Sequence, residues 1–230
     1  MYEYERIREA EYQMDFWLEE KSRSLNCRMR IVNHTDQVIP MYWWSNMAVP
    51  EYPFGQIIVP AATAYTCKNW EVYKVNVPEV DGNNIFHYES IPDQIDYFFD
   101  IPYECPKYIA NVNKDGYGLL QTSTRRLRAR KLFSWGHNEG SDRWQHFLTE
   151  DAGPYIEIQA GLGKTQYGCL PMAPHTAWEW LEQYGPVQLP QTTSSQDNCQ
   201  YIEQHVSSEE LERLLQTSAS FAHQKAAVVS

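Results

Sequence analysis

No run of about eighteen apolar residues occurs in this 230-residue sequence, so nothing in it reads as a membrane-spanning helix. The opening Met1-Tyr2-Glu3-Tyr4-Glu5-Arg6 lacks the basic-then-apolar pattern of an export signal, and a cytoplasmic location is expected. Cysteines are few and odd in number. Cys27, Cys67, Cys105, Cys169 and Cys199 are widely spaced with no Cys-x-x-Cys pair, which supports neither a disulfide framework nor a zinc site. Basic residues are outnumbered, with 19 Lys and Arg against 30 Asp and Glu; the formal net charge of -11 argues against nucleic acid as a partner.

Cofactor motifs are missing as well. Gly161-Leu162-Gly163-Lys164-Thr165 mimics the end of a phosphate-binding loop, but Ile158 stands where the earlier glycine would be needed. There is no His-Glu-x-x-His, no Gly-x-Ser-x-Gly and no Cys/His spacing of metal-ligand type. Neither a metal nor a cofactor is expected, and no internal repeat is visible.

Aromatic residues are abundant, with 8 Trp and 16 Tyr, a content suited to a β-rich core and equally to a carbohydrate surface. Short strand patterns recur at Cys27 to Val32, Ile39 to Val49, Ile57 to Pro60 and Trp70 to Val77, and the turn Asn33 to Asp36 reads as joining the first two in a hairpin. Residues 3 to 23 suit an amphipathic helix or an opening edge strand. Residues 82 to 106, broken by Pro92, Pro102 and Pro106, read as a surface connection pinned by aromatics. Asn113-Lys114-Asp115-Gly116 is a strong hairpin signal between Tyr108 to Val112 and Gly118 to Ser123. Leu132 to His137 continues as a strand and 138 to 142 as a loop. Trp178, Trp180 and Tyr184 read as a covering segment over the sheet. The pattern predicts an all-β sandwich over residues 1 to 185. Residues 186 to 230 follow as a polar linker, a short helix capped by Ser207 with Leu211, Leu214 and Leu215 at helical spacing, and a loose tail.

The stretch Tyr155-Ile156-Glu157-Ile158-Gln159 alternates as a strand, with Tyr155, Glu157 and Gln159 on one face and Ile156 and Ile158 on the other. A carboxylate between an aromatic ring and an amide is what a sugar site needs: the ring stacks on C–H bonds while polar groups bond hydroxyls. An ordinary half-exposed strand would look the same. Trp44, Asn46, Trp135, Trp144 and Gln166 are further candidate contacts, and adjacent Trp43 and Trp44 must point to opposite faces. Five of the nineteen basic residues fall within Arg125 to Lys131, which is either a solvated segment or a patch for an anionic sugar or phosphate; Arg130 and Lys131 are the candidate ligands. If catalysis occurs, Glu157 is the candidate base, and an acid would come from His137, His146, Asp142 or Glu150, with His137 carried as a weak candidate.

Four segments taken together resemble the DUF5107 family of uncharacterised bacterial proteins: Met41 to Val49, Gly118 to Thr124, Arg130 to Gly136 and Tyr155 to Leu162. The resemblance implies a galactose mutarotase-like β-supersandwich, all-β and partial in this chain, whose concave sheet holds a sugar. In mutarotases a glutamate in a Leu-Glu-x-Gln setting takes the proton from the anomeric hydroxyl. Ile156-Glu157-Ile158-Gln159 is similar to that setting, so Glu157 inherits the role of base by analogy. The His-x-Tyr-Phe-Asn pattern of mutarotases is only loosely echoed by Tyr42-Trp43-Trp44-Ser45-Asn46, with no histidine at the equivalent place. The resemblance also implies strands upstream of this region, so the chain is expected to begin inside its domain and to complete its sheet by self-association or with a partner chain. Three functions are weighed: a carbohydrate-binding domain, an aldose epimerase or glycoside-cleaving enzyme using Glu157, and a non-enzymatic protein-interaction domain.

Overall fold

The computed structural model describes residues 1–190 and 194–223. Two antiparallel sheets pack face to face. The first runs, in spatial order, Tyr2–Glu5, Ala10–Leu18, Leu25–Asn33, Thr176–Gln188, Tyr117–Ser123, Lys107–Val112 and Gln56–Ile58. The second runs Trp44–Pro50, Tyr155–Gly161, Ala129–Ser134, Ile95–Phe99, Thr63–Lys68 and Glu71–Asn76. Two small ribbons, Ile39–Met41 with Leu170–Met172 and Glu79–Val80 with Asn83–Asn84, flank them.

Alternation drives the layering. Ile156 and Ile158 are fully buried with Leu132, Phe99, Ile109 and Ile57 between the sheets, so the Glu157 side of that strand must face outward. The other half of the interior holds Met29, Ile31, Met41, Leu162 and Trp180. Trp43 turns inward onto Trp180, with ring centroids 5.8 Å apart, while Trp44 turns outward onto Phe98 at 5.6 Å. Glu182 lies between the sheets at 1 % exposure and accepts from Ser45 (2.6 Å), Gln121 (3.0 Å), Tyr184 (2.6 Å) and Trp180 (3.2 Å). Donors from both sheets converge on one buried carboxylate, which offsets its desolvation and ties the layers together.

Turn chemistry acts where the sequence places it. Asn113 Oδ1 accepts from the backbone N–H groups of Asp115 and Tyr117, both at 3.0 Å, and Gly116 takes φ +79° to close the hairpin. Ser207 caps its helix by accepting from Glu210 N–H at 3.1 Å, and Leu211, at 4 % exposure, packs with Val187 and Leu181 on the outer face of the seven-stranded sheet.

Several expectations are corrected. Of the two alternatives for residues 3 to 23, the strand forms and the helix does not: Tyr2–Glu5 is the sheet edge and Ala10–Leu18 lies inside it. Leu25–Asn33 and Trp44–Pro50 are not a hairpin: they belong to different sheets, because Leu25–Asn33 pairs with Ala10–Leu18 and Thr176–Gln188. Residues 82 to 106 are not all surface connection, since Ile95–Phe99 is an inner strand with Phe98 and Phe99 buried. Trp178, Trp180 and Tyr184 belong to the long Thr176–Gln188 strand. Where a polar linker is expected, that strand runs on to Gln188 and the Ser195–His205 helix follows. A reciprocal cap between Ser194 and Asp197 starts this helix, and Ile202 docks it on the sheet. A further helix, Glu139–Thr149, occupies part of the expected loop. The tail past residue 223 lies outside the described residues. Among the described residues no helix is long and apolar enough to cross a membrane.

Candidate functional site

The register of the six-stranded sheet lines up two rows of side chains on its outward face. Tyr65, Phe98, Lys131, Gln159 and Asn46 stand in one row, and Asp96, Phe133, Glu157 and Ala48 in the next. A polar relay crosses these rows. Asn46 Nδ2 donates to Glu157 Oε2 at 2.7 Å, and Gln159 Nε2 donates to the same oxygen at 2.8 Å. Gln166 Nε2 donates to Gln159 Oε1 at 2.7 Å, and Lys131 Nζ donates to Gln166 Oε1 at 2.7 Å. The same ammonium lies 2.7 Å from Asp96 Oδ1.

Gln166 and Gln159 thus each accept from the cationic end and donate towards Glu157, while Asn46 donates to it from the other side. Both bonds to Glu157 fall on Oε2; among the described residues none reaches Oε1.

Aromatic rings surround the relay. Phe98 meets Trp44 at 5.6 Å and Tyr167 at 5.3 Å, while Trp135 meets Phe133 at 5.0 Å and Tyr155 at 6.1 Å. Lys131 Nζ sits 5.3 Å from the Phe98 centroid and 5.7 Å from that of Phe133, so cation–π attraction adds to its ion pair. Gly161, opposite Trp44 in register, leaves room for the indole: a Cβ there would stand 2.3 Å from the ring. Burial, with Asp96 and Cys67 nearby, pushes the Tyr167 hydroxyl up to about 12, so it stays a neutral donor at physiological pH.

Of the sequence candidates, Trp44, Asn46, Lys131, Trp135, Glu157, Gln159 and Gln166 share this face. Arg130 does not. Being next to Lys131 in a strand it points the opposite way, and at full burial it donates to the carbonyls of Leu127 (3.0 Å), Ala129 (2.9 Å) and Lys107 (2.7 Å) and to Ser123 Oγ (2.7 Å). Trp144 lies on the Glu139–Thr149 helix, paired with Phe147 at 5.9 Å. His137 bonds Glu51, with 2.9 Å between Nε2 and Oε1, beside a cavity of about 250 Å³ also lined by Tyr52, Glu89 and Asp142. Burial raises the Glu51 carboxyl above the usual range; His137 opposes this, while Glu89 and Asp142 add to it. The sequence reading missed Asp96, Phe98, Phe133 and Tyr167 as site residues. Asp96 and Phe98 alternate with Tyr97 and Phe99, which point into the core between the sheets, a strand signal obscured by the surrounding prolines. No described cluster of three or more His, Cys, Asp or Glu side chains is arranged to hold a metal.

Comparison with known proteins agrees on the fold. A TPR-domain containing protein from Parabacteroides distasonis shares 22 % identity over 84 % of this chain and 35 % of its own, with a TM-score of 0.65. A candidate aldose 1-epimerase from Escherichia coli K12 (11 % identity, TM-score 0.56) is matched over 82 % of this chain and 64 % of its own. A galactose mutarotase related enzyme from Lactobacillus acidophilus (10 % identity, TM-score 0.52) is matched over 84 % and 68 %. The chain thus spans about a third of the Parabacteroides protein and less than two thirds of the Escherichia one. The fold is that of galactose mutarotase-like sandwiches. The profile of the domain of unknown function DUF5107 matches residues 3–179, and the chain belongs to that family.

Proposed function

We propose that this chain binds a carbohydrate on the outward face of the six-stranded sheet, with Glu157 at the centre of the site. The observation that carries the proposal is the relay from Asn46 through Glu157, Gln159 and Gln166 to Lys131 and Asp96, bordered by the half-buried rings of Trp44, Phe133 and Trp135. Fixed acceptors and donors beside ring faces match the alternation of hydroxyls and C–H bonds on a sugar ring. The relatives named as epimerases and mutarotases support a sugar as the ligand class, by likeness of fold.

A second reading is epimerisation on the same face, favoured by Glu157 Oε1, to which no described residue donates. In that reaction Oε1 takes the anomeric hydroxyl proton, the bond from the anomeric carbon to the ring oxygen opens, and a donor protonates the ring oxygen. Lys131 is the cation tied to Glu157 through the relay and is our candidate for that donor.

Saturation-transfer NMR against neutral and acidic mono- and oligosaccharides, with anomeric signals followed in the same samples, tests both readings. Binding predicts saturation of at least one sugar by the wild-type chain and its loss in Trp44→Ala. Epimerisation further predicts faster anomer exchange that Glu157→Gln abolishes while the sugar still binds. A folded wild-type sample that saturates no sugar on the panel would overturn the proposal.

A further inference from the structure

We propose that the Thr124–Arg128 turn forms a second site, for the phosphate of a soluble phosphomonoester. This turn carries the chain from Tyr117–Ser123 in one sheet to Ala129–Ser134 in the other, and it is pinned from beneath. Thr124 N–H donates to Leu181 O and Thr124 Oγ1 accepts from Leu181 N–H, both at 3.0 Å; Leu127 is fully buried, and its carbonyl accepts from Arg130. The backbone is therefore held while Arg125, Arg126 and Arg128 project outward. Together with Tyr103, Leu170 and Trp178 these three line a cavity of about 450 Å³.

The guanidinium groups are placed but not paired. Arg126 lies 5.5 Å from the Trp178 ring centroid and Arg125 lies 6.0 Å from that of Tyr103, so ring faces steady both forks. Among the described residues none of the three has a carboxylate within the 4.0 Å of an ion pair. Of the two acids lining the cavity, Glu179 is paired with arginines beneath it, while Glu212 makes a backbone contact and keeps its charge. Glu179 holds Arg28 at 2.8 Å and Arg30 at 2.9 Å, and Glu212 Oε1 accepts the backbone N–H of Arg125 at 3.1 Å. Three unpaired cations around one cavity repel each other, in a chain whose acids outnumber its bases by 30 to 19. A phosphate dianion relieves that repulsion, and its three terminal oxygens suit several guanidinium forks, whereas a carboxylate offers two. The flanking rings and Leu170 provide a platform for the organic part of the ester. This site does not depend on the sugar reading of the Glu157 face.

Isothermal calorimetry with phenyl phosphate at low salt tests the assignment, with phenol as the uncharged control and vesicles bearing phosphatidic acid as the lipid control. The expected result is saturable binding of phenyl phosphate, none of phenol, and an affinity loss of about tenfold or more in Arg126→Gln and beyond that in the triple Gln variant of Arg125, Arg126 and Arg128. Arg126→Lys should also weaken binding, because it keeps the charge but loses the fork. All three side chains are exposed, so the variants should remain folded, and Glu157→Gln should leave the affinity unchanged. Equal affinity in the triple variant, no saturable binding by the wild type, or capture by anionic vesicles without phenyl phosphate binding would each overturn the proposal.

Discussion

Lys131 Nζ stands 2.7 Å from Asp96 Oδ1 on the neighbouring strand, and the same nitrogen donates to Gln166 at 2.7 Å. The ammonium is nearly buried while the carboxylate keeps some contact with solvent, so the pair lies between the buried and exposed regimes. Lys131→Met should cost roughly 1–3 kcal/mol by leaving Asp96 unpaired beside Phe133. Adding Asp96→Asn should recover part of that loss. Urea unfolding of the two single variants and the double variant measures the coupling, and strictly additive losses would mean that the pair does not act as a unit.

Arg130 has a purely architectural task, with four hydrogen bonds to buried acceptors. Arg130→Met should cost about 3–5 kcal/mol, since three buried carbonyls and the Ser123 hydroxyl all lose a charged donor at once. Arg130→Lys should also destabilise, because one ammonium cannot reproduce the span of a guanidinium. A Lys variant whose urea midpoint equals that of the wild type would contradict this role.

Gly161 is the floor under Trp44. A methyl group there would stand 2.3 Å from indole carbons, so Gly161→Ala must displace the ring from Phe98. The expected readouts are a changed tryptophan emission spectrum and weaker sugar binding in a variant that remains folded. An unchanged emission spectrum would show that the indole is not seated there.

Glu51 supplies a pH test. Its folded-state pKa lies above the unfolded value, chiefly through burial, so the folded state holds its proton to higher pH than the unfolded state does. Its contribution is fully present below the unfolded carboxyl range and is lost as pH rises through the raised folded value. Glu51→Gln removes the cost of ionising a buried acid, but it also removes the partner of His137. The difference in melting temperature, variant minus wild type, should therefore be more favourable at pH 8 than at pH 4. A difference that does not change with pH, or that moves the other way, would show that burial does not govern this group.

Local chemistry explains which features were readable in advance. The alternation around Glu157, the Asn113 to Gly116 turn and the Ser207 cap each rest on residues within a few positions of one another, and each forms as expected. The Glu139–Thr149 helix shows the opposite case. Its cap is present, with Asn138 Oδ1 accepting from Gly140 and Ser141 N–H at 2.9 and 3.0 Å. Its buried side chains, however, are Ser141 and Gln145, while Trp144, Phe147 and Leu148 face outward. An apolar stripe normally reports the buried face of a helix, and here it does not, so periodicity gave no guide.

The sequence by itself determined that this is a β sandwich with an alternating strand at Glu157, because strand period and turn residues act over a few bonds. It offered both Arg130 and Lys131 as ligands, although only one of two neighbours in a strand can face outward. Tertiary structure decided which. Pairing Ile95–Phe99 beside Ala129–Ser134 brings Asp96 to Lys131 across some 35 positions of chain, and the loop after Gly161 folds back to set Gln166 between Lys131 and Gln159. Such contacts depend on which strands become neighbours, a choice made by burial of the whole core and not written in any one segment.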